Sequence, residues 1–291
     1  MKFGHWYASV GPFAYPDGAL QLATAAEQAG FESLWTGEHI VVPSNIASTY
    51  PYSRDGKMAG GGQIPMAEPF VWHAWVAAHT TTLRLATGVL VLPQRQPLLV
   101  AKQAATLAVL CDGRFSLGLG VGWLREEFDA LGADFEDRAA RHDEYVTAMR
   151  SLWANDAASF AGEHIAFEEV ALCPRPPGNT VPIVVGGHTP AAARRAGRVG
   201  DGFFPAKGTP EFVGQLFDLA RSTAEASGRD PSALELSVYE PGVLDPARAE
   251  SLIQQWAGVG ASRIIVSPKS LDPGQLADHI YQFGEEVIAH V

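Results

Sequence analysis

Residues 84–120, RLATGVLVLPQRQPLLVAKQAATLAVLCDGRFSLGLG, contain a complete strand–helix–strand unit. Arg84–Leu92 is a nearly continuous apolar run, which is typical of a parallel strand buried on both faces. Pro97–Cys111 has the apolar content of a buried helix, with a proline at its start and a glycine just beyond its end. Arg114–Gly120 predicts the next strand. Two strands joined through a helix indicate a parallel sheet.

The same alternation extends in both directions along the chain. Six more strands are predicted, at Lys2–Ala8, Glu32–Gly37, Val181–Gly186, Gly202–Pro205, Glu235–Tyr239 and Arg263–Ser267. The helical patterns between and after them comprise one capped by Asp17 and ended by Gly30, one from Leu124 to about Trp153, and others at Pro190–Gly197, Pro210–Ser227, Pro246–Gly258 and Pro273–Ala289. Eight strand-then-helix units predict an α/β fold, a closed (β/α)8 TIM barrel. An open doubly wound sheet is the alternative, although it would use fewer strands.

Two stretches are longer than plain connections. Residues 42–68, rich in Gly, Ser, Tyr and Pro, follow the second strand and are interpreted as a lid or binding loop, the lid segment. Residues 159–177 alternate apolar and polar side chains around Gly162, which predicts a hairpin insertion before the fifth strand. Composition does not change along the chain, so we expect residues 1–291 to form a single barrel domain.

Composition argues against several classes of protein. The 291 residues are 47% hydrophobic and 18% charged, which is typical of an ordered globular chain. A formal net charge of −11 without a basic run disfavours a nucleic-acid partner. Two cysteines, Cys111 and Cys173, give no disulfide framework, and neither a signal peptide nor a membrane span is apparent, so we expect a cytoplasmic protein. The signatures of metal sites, serine esterases and P-loop NTPases are also missing from the sequence.

A phosphate-binding loop is predicted at residues 184–197, VVGGHTPAAARRAG. The strand ends at Gly186 and Gly187, where the missing side chains let the backbone approach a ligand. Thr189 and Pro190 then begin a helix as its cap and first residue, so the amides of the first turn favour an anion. Backbone donors of this kind would bind a phosphate despite the negative net charge. The alternative is an ordinary strand-to-helix turn.

Candidates for proton transfer and ring binding follow from the barrel, because its active sites lie at the carboxyl ends of the strands. His39 follows the second strand, and an imidazole exchanges protons near neutral pH. Glu38, beside it, is expected to orient or tune that imidazole. His5, at the end of the first strand, is a second candidate. In GLGVGW, residues 118–123, the glycines are expected to leave space for a flat ring, whereas their spacing does not fit a Rossmann dinucleotide loop.

Four stretches of the chain resemble the bacterial luciferase-like flavin and deazaflavin oxidoreductases. They are GFESLWTGEHIVVP at 30–43, TTTLRLATGVLVLPQRQPLLVAKQAATL at 80–107, GRFSLGLGVGWLREEFDALG at 113–132 and VPIVVGGHTPAAARRAGRVGDGFFP at 181–205. These stretches occur in the family's order, and the hairpin ending in ALCPRPP also resembles the family. Within it, the chain is most similar to the actinobacterial group of probable F420-dependent oxidoreductases.

The resemblance implies a barrel, often a homodimer, that binds an isoalloxazine-type ring at its carboxyl-terminal mouth. The family's strand-two histidine falls on His39. Its third-strand bulge, often a cis peptide that supports the ring, falls on Gly88 and Val89. The other cofactor-binding residues that the resemblance implies are Gly120, Gly122, Trp123, Gly186, Gly187, His188 and Thr189. Several deazaflavin dehydrogenases have a glutamate just after the fourth-strand glycines. Here that neighbourhood is Trp123, Leu124, Arg125 and Glu126, which argues against a sugar-phosphate dehydrogenase.

The resemblance favours coenzyme F420 over FMN as the cofactor. Ring, ribityl chain and phosphate are common to both, but the deazaflavin adds an oligoglutamate tail, which favours cations along its path. Lys57 and Arg54 in the lid segment and Lys207 after the sixth strand are the candidate cations. The expected apolar walls of the substrate pocket are Trp6, Tyr7, Tyr50 and Trp123.

The resulting hypothesis is an F420-dependent oxidoreductase that transfers a hydride between the deazaflavin C5 and a small organic substrate. His39 would donate or accept the accompanying proton, and the lid segment would exclude water. A separate F420- or flavin-reducing enzyme is an expected partner. The alternatives are an FMN-dependent luciferase-like monooxygenase that uses reduced flavin and O2, a non-catalytic flavin- or F420-binding protein, and a cofactor-free barrel hydrolase.

Overall fold

Eight parallel strands close into a barrel in the computed structural model, which describes residues 1–53 and 55–291. The strands of the barrel are β1 (Lys2–His5), β2 (Ser33–Thr36), β3 (Arg84–Thr87), β5 (Phe115–Gly120), β8 (Ile183–Gly186), β9 (Gly202–Phe204), β10 (Glu235–Tyr239) and β11 (Ala261–Val266). Pairing of β1 with β11 and of β3 with β5 closes the ring. A short strand, β4 (Leu90–Val91), extends the edge of β5 at its carboxyl end. The predicted (β/α)8 barrel is confirmed.

Helices cover the outside of the barrel. They are α1 (Pro16–Gln28), α2 (Pro69–Ala77), α3 (Pro97–Leu110), α4 (Arg125–Leu131), α5 (Arg138–Ala154), α6 (Pro190–Val199), α7 (Pro210–Ala226), α8 (Pro246–Gly258) and α9 (Pro273–Glu286). Most of them begin at a proline, because its fixed φ suits a first turn whose amides lack intrahelical partners. Within residues 1–53 and 55–291, no helix is long and apolar enough to cross a membrane.

Two hydrophobic cores position the functional end of the barrel. A large one fills the layer between strands and helices. A smaller one fills the barrel interior, and its buried members are Trp6, Trp35, Ala86, Val184, Phe204, Ala206 and Ile265. Because bulky side chains pack the interior, the barrel is a solid platform rather than a pore.

The amino-terminal end of the barrel contains a cavity of about 500 Å³ with paired charges along its wall. Arg263 forms a two-pronged ion pair with Glu32, at 2.7 Å for Nη2–Oε1 and 2.8 Å for Nε–Oε2. Lys2 pairs with Glu235 at 3.0 Å, and Arg84 lies 3.8 Å from Glu32. These ion pairs join the starts of five neighbouring strands, β3, β2, β1, β11 and β10.

Several sequence-based boundaries are corrected by the structure. Asp17 is not the cap of α1; Tyr15 precedes the helix, and Pro16 is its first residue. The helix predicted from 124 to about 153 is two helices. Helix α4 ends before Gly132, which adopts φ 67°, and α5 begins at Arg138. The run Arg84–Leu92 divides into β3 and β4, with a cis peptide bond between Gly88 and Val89.

Both insertions have recognisable structure. The hairpin is confirmed, with β6 (Ala158–Ala161) antiparallel to β7 (Ala166–Val170). The lid segment is mostly irregular, with one short 3₁₀ turn at Ala59–Gly62. Its later part returns to the barrel through an antiparallel bridge between Met66 and Val10. Arg54 lies outside the described residues.

Candidate active site

His39 and Glu127 form a hydrogen-bonded pair at the carboxyl end of the barrel. His39 Nδ1 donates to Glu127 Oε2 at 2.9 Å, and the histidine side chain is 11% exposed. The other carboxylate oxygen accepts from the amides of Ile40 at 2.7 Å and Val41 at 3.3 Å. Trp123 packs edge-on against the imidazole, with 5.9 Å between ring centres. Glu127 therefore fixes both the ring of His39 and the backbone that follows it.

The prediction that Glu38 orients His39 is wrong. The buried carboxylate of Glu38 accepts from Val91 N at 2.7 Å and pairs with Arg95, which also lies 3.3 Å from Glu68. Burial raises the pKa of the Glu38 carboxyl, although Arg95 opposes this shift. Glu38 thus holds the end of β2 to β4, and Glu127 holds the histidine. Sequence reasoning missed Glu127, whose signal is its place in the first turn of the helix after the glycine-rich strand end.

Val89 lies between two of the candidate glycines. A Cβ on Gly120 would lie 2.6 Å from Val89 Cγ2, and one on Gly186 would lie 2.6 Å from Val89 Cγ1. A Cβ on Gly122, which adopts φ 82°, would lie 2.6 Å from Phe128. The expectation that Gly120 and Gly122 leave open space needs correction, because Val89 and Phe128 fill it. Gly120 and Gly186 instead leave room for the side chain of Val89 between β5 and β8.

The loop after β8 retains unused hydrogen-bond donors. Gly187, at φ 124°, donates its amide to Phe204 O at 3.2 Å, and Thr189 Oγ1 accepts from Ala192 N at 3.2 Å. In the part of the chain that the structure describes, the amides of His188, Thr189 and Ala191 have no hydrogen-bond partner. The buried Nδ1 of His188 also lacks one. This geometry suits an anion, because donors converge at a helix start whose dipole is positive.

Aromatic side chains from the lid segment and the barrel meet above the mouth. Trp6 stacks on Tyr7 at 4.6 Å and donates its indole N–H to Gly88 O at 2.8 Å. The hydroxyls of Tyr7 and Tyr50 are hydrogen-bonded to each other, and the Tyr50 ring lies 5.0 Å from that of Trp123. The structure therefore brings together all four expected pocket walls.

The two predicted cations that the structure describes lie in different surroundings. Lys207 Nζ donates to the carbonyl of Pro51, and it lies 5.9 Å from the ring centre of Tyr52. Tyr52 in turn packs against His188 at 5.3 Å. Lys57 is exposed, and its amide donates to Asp55 within the same turn. Only Lys207 therefore joins the lid segment to the anion-binding loop.

His5 is separate from the site. It is 2% exposed and packs edge-on against Phe31 in the layer between the strands and helices. Burial lowers the pKa of its imidazole from 6.5 to about 4, so the ring is neutral at physiological pH. His5 is a core residue. Among residues 1–53 and 55–291, no group of three or more His, Cys, Asp or Glu side chains could hold a metal ion.

Comparison with known proteins gives a family match, two proteins named as F420-dependent and one named as a monooxygenase. Residues 1–275 match the model of the luciferase-like monooxygenase family. The chain is 31% identical over 265 residues to an F420-dependent glucose-6-phosphate dehydrogenase of Kineococcus radiotolerans, covering 88% of this chain and 73% of that one. The monooxygenase RslO1 of Streptomyces bottropensis superimposes with a TM-score of 0.79 at 25% identity, over 100% of this chain and 99% of the other. An F420-dependent secondary alcohol dehydrogenase, solved with an F420–acetone adduct, superimposes with a TM-score of 0.78 at 20% identity, over 99% and 98%.

Proposed function

The chain belongs to the luciferase-like monooxygenase family, and from that premise we propose that it is an F420-dependent oxidoreductase acting on a small organic substrate. The observation that carries this proposal is the His39–Glu127 pair, which faces the aromatic mouth of the barrel. The F420-dependent relative of Kineococcus radiotolerans supports the choice of cofactor.

The residues present fit such a cofactor. A phosphate would accept hydrogen bonds from the unused amides of His188, Thr189 and Ala191. Val89, raised by the small residues beside it, would support one face of the ring. Lys207 would attract further negative charge near the same loop. Bound F420 would supply the site that gives or takes a hydride, at C5.

His39 would handle the proton that accompanies the hydride. Its Nδ1–H is committed to Glu127, so Nε2 is the nitrogen left to exchange a proton with the substrate. The hydrogen bond to the carboxylate keeps the imidazole ring from rotating. The lid segment would keep water from the reacting atoms.

Titration of the purified protein with F420 and with FMN, followed by fluorescence, tests the cofactor. We expect saturable F420 binding, with FMN weaker. His39→Ala is expected to lower F420-dependent turnover about 10²–10⁴-fold while F420 binding stays nearly unchanged. Full turnover by this variant would remove His39 from the mechanism. Binding without turnover on any tested substrate would favour the non-catalytic alternative.

A second candidate is an FMN-dependent monooxygenase, which the likeness to the RslO1 structure favours. Oxygen uptake in the presence of reduced FMN separates the two candidates. Uptake that depends on an added organic substrate would support the monooxygenase. Oxidation of reduced F420 by substrate under nitrogen would support the oxidoreductase instead.

A further inference from the structure

Tyr50 packs beside the tryptophan that contacts His39. Its ring lies 5.0 Å from that of Trp123, which packs at 5.9 Å from His39. The hydroxyls of Tyr7 and Tyr50 are hydrogen-bonded to each other. The lid segment thus places a planar ring with a hydroxyl group against Tyr7 and Trp123.

The charged groups near Tyr50 have other partners, since Lys207 Nζ donates to the carbonyl of Pro51. In the part of the chain that the structure describes, no lysine or arginine forms an ion pair, hydrogen bond or cation–π contact with Tyr7, Tyr50 or Trp123. Glu127, the nearby anion, is committed to His39 and to two backbone amides. Burial raises the pKa of both Tyr7 and Tyr50, so their hydroxyls stay neutral. A charged substrate group would lose its hydration here without gaining a partner.

Tyr50 is held by contacts that separate without disturbing the barrel. Its amide donates to Gly56 O at 2.8 Å within the lid segment. On one side of it, Glu126 Oε1 accepts from Ala47 N at 2.7 Å and Ser48 N at 2.9 Å. On the other, Lys207 donates to the carbonyl of Pro51. These hydrogen bonds lie at the protein surface, where water can replace them.

We propose that Tyr50 lies where the substrate binds, and that the substrate is a planar, uncharged ring compound whose carbonyl oxygen accepts the Tyr7 hydrogen bond. The proposal rests on the proposed function, since it names the substrate class of that site. For an aromatic aldehyde, the carbonyl carbon would take the hydride that reduced F420 supplies, and the oxygen would take a proton from His39. The proton that reduced F420 releases on oxidation would restore His39, so the products would be the alcohol and oxidised F420. This class differs from the sugar phosphate named for the Kineococcus relative.

Binding of p-cresol, the detached side chain of tyrosine, tests the pocket without any cofactor. Tyr50→Ala is expected to bind p-cresol at least 10-fold more tightly than the unmodified protein in calorimetric titration, and to discriminate strongly against the anion 4-methylbenzoate. Adding Tyr7→Phe should weaken p-cresol binding several-fold. Tyr15→Ala, which truncates a side chain that is 59% exposed, is the matched control and should not bind p-cresol.

Three binding results would overturn the proposal. The first is equal p-cresol affinity in the unmodified protein and in Tyr50→Ala. The second is equal affinity of Tyr50→Ala for p-cresol and for 4-methylbenzoate. The third is a gain in affinity of Tyr50→Ala for F420, relative to the unmodified protein, without a gain for p-cresol. The last result would mean that Tyr50 lies in the place of the cofactor ring.

Turnover by the unmodified protein gives a second test, which applies even where Tyr50→Ala does not fold. With reduced F420, we expect benzaldehyde to be reduced at least 10-fold faster than 4-carboxybenzaldehyde. Equal rates would overturn the substrate class and leave the proposed function standing. If neither aldehyde oxidises reduced F420 while Tyr50→Ala binds p-cresol, the pocket chemistry stands and the proposed function fails.

Discussion

The buried carboxylate of Glu127 fixes the position of the His39 imidazole. Its side chain is 1% exposed, and both of its oxygens accept hydrogen bonds. Because a hydrogen bond to a charged group contributes about 1.5–3 kcal/mol, and about 1.4 kcal/mol changes a rate tenfold, Glu127→Gln should lower kcat roughly 10–100-fold. Steady-state kinetics with F420 measures this effect.

The affinity for F420 shows whether Glu127→Gln acts through the orientation of His39 or through a general loss of stability. We expect the Kd for F420 to change less than twofold in Glu127→Gln, since Glu127 contacts neither Val89 nor the loop after β8. Glu136→Gln, which alters a surface ion pair with Arg125, is the matched control and should keep full kcat. An equal loss of kcat in both variants would contradict the positioning role.

His5 makes the stability of the chain depend on pH. Its pKa is about 4 in the folded protein against 6.5 as the ordinary value, so the unfolded chain binds the extra proton between these two pH values. Stability is therefore complete above about pH 6.5 and falls as the pH is lowered toward 4. His5→Leu should make the loss of unfolding free energy between pH 7 and pH 5 smaller by about 2 kcal/mol.

Urea unfolding at the two pH values measures the contribution of His5. His290→Leu, at an exposed position near the end of the chain, is the control and should leave the difference unchanged. His73, also buried, has a pKa lowered to about 3 and adds a similar dependence that both variants retain. An unchanged pH difference in His5→Leu would contradict burial of a neutral imidazole.

Sequence reasoning found His39 but not its partner, and the reason is distance along the chain. A histidine directly after a strand is visible in the sequence because its neighbours define the strand end. Glu127 is 88 residues away from His39, and it meets the imidazole only because β2 and β5 both pair with β3, which brings their carboxyl ends close together. Adjacent Glu38 was the wrong choice because consecutive residues at a strand end point to different sides.

Helix α4 holds two parts of the site from adjacent residues. Glu127 bonds to His39, whereas Glu126 accepts from Ala47 N and Ser48 N in the lid segment. Hydrogen bonds to the Ser48 side chain and nearby amides keep the pKa of Glu126 low, at about 2, so it is ionised under all ordinary conditions. The same turn of helix therefore fixes the lid segment and the proton-transfer residue.

Removal of the Glu126 charge should release the lid segment. Glu126→Gln is expected to increase the rate of tryptic cleavage after Lys57 roughly 10-fold, because cleavage follows the population of the locally open form. Mass spectrometry of early time points identifies the cleaved bond. Glu225→Gln, on the surface of α7, is the control. Cleavage that is no faster in Glu126→Gln than in this control would show that the hydrogen bonds of Glu126 do not hold the lid segment closed.

Predictions of elements were accurate in type and less so at their ends. The eight strands were recognisable because their apolar runs are continuous, as burial on both faces requires. Asp17 is a wrong prediction for the cap of α1, made because aspartate favours helix starts. Proline favours the first position of a helix, so α1 begins at Pro16. The family resemblance predicts a bulge with a cis peptide bond at Gly88 and Val89, and the structure confirms it. The local pattern alone gives no signal for this interruption, since Gly88 and Val89 fit an ordinary strand. Packing of Val89 between β5 and β8 is a tertiary property.

The whole molecule places its charged network and its candidate site at opposite ends of the barrel. Arg263, with 7% of its side chain exposed, pairs with Glu32 and Glu235 at the amino-terminal end. Arg263→Leu removes one partner of a buried ion pair and should lower the free energy of unfolding by about 3 kcal/mol. Urea unfolding measures the loss, and kcat should stay unchanged in the same preparation.

Lys2→Met is the matched control for Arg263→Leu. It removes a cation from the same network, but its ion pair with Glu235 is exposed, with 46% and 47% of the two side chains accessible. Exposed pairs contribute less than about 1 kcal/mol, so the variant should be nearly as stable as the unmodified protein. A loss in kcat on Arg263→Leu would show that the two ends of the barrel are coupled.

The separation of the ends also bears on how such a chain can diversify. Changes in residues 42–68 alter what reaches His39 without touching the ion pairs that join the strand starts, and changes in those pairs alter tolerance to heat without touching the mouth. Selection for a new substrate and selection for a warmer habitat would therefore draw on different positions. A laboratory evolution experiment could follow the two in either order, and gains from each should add.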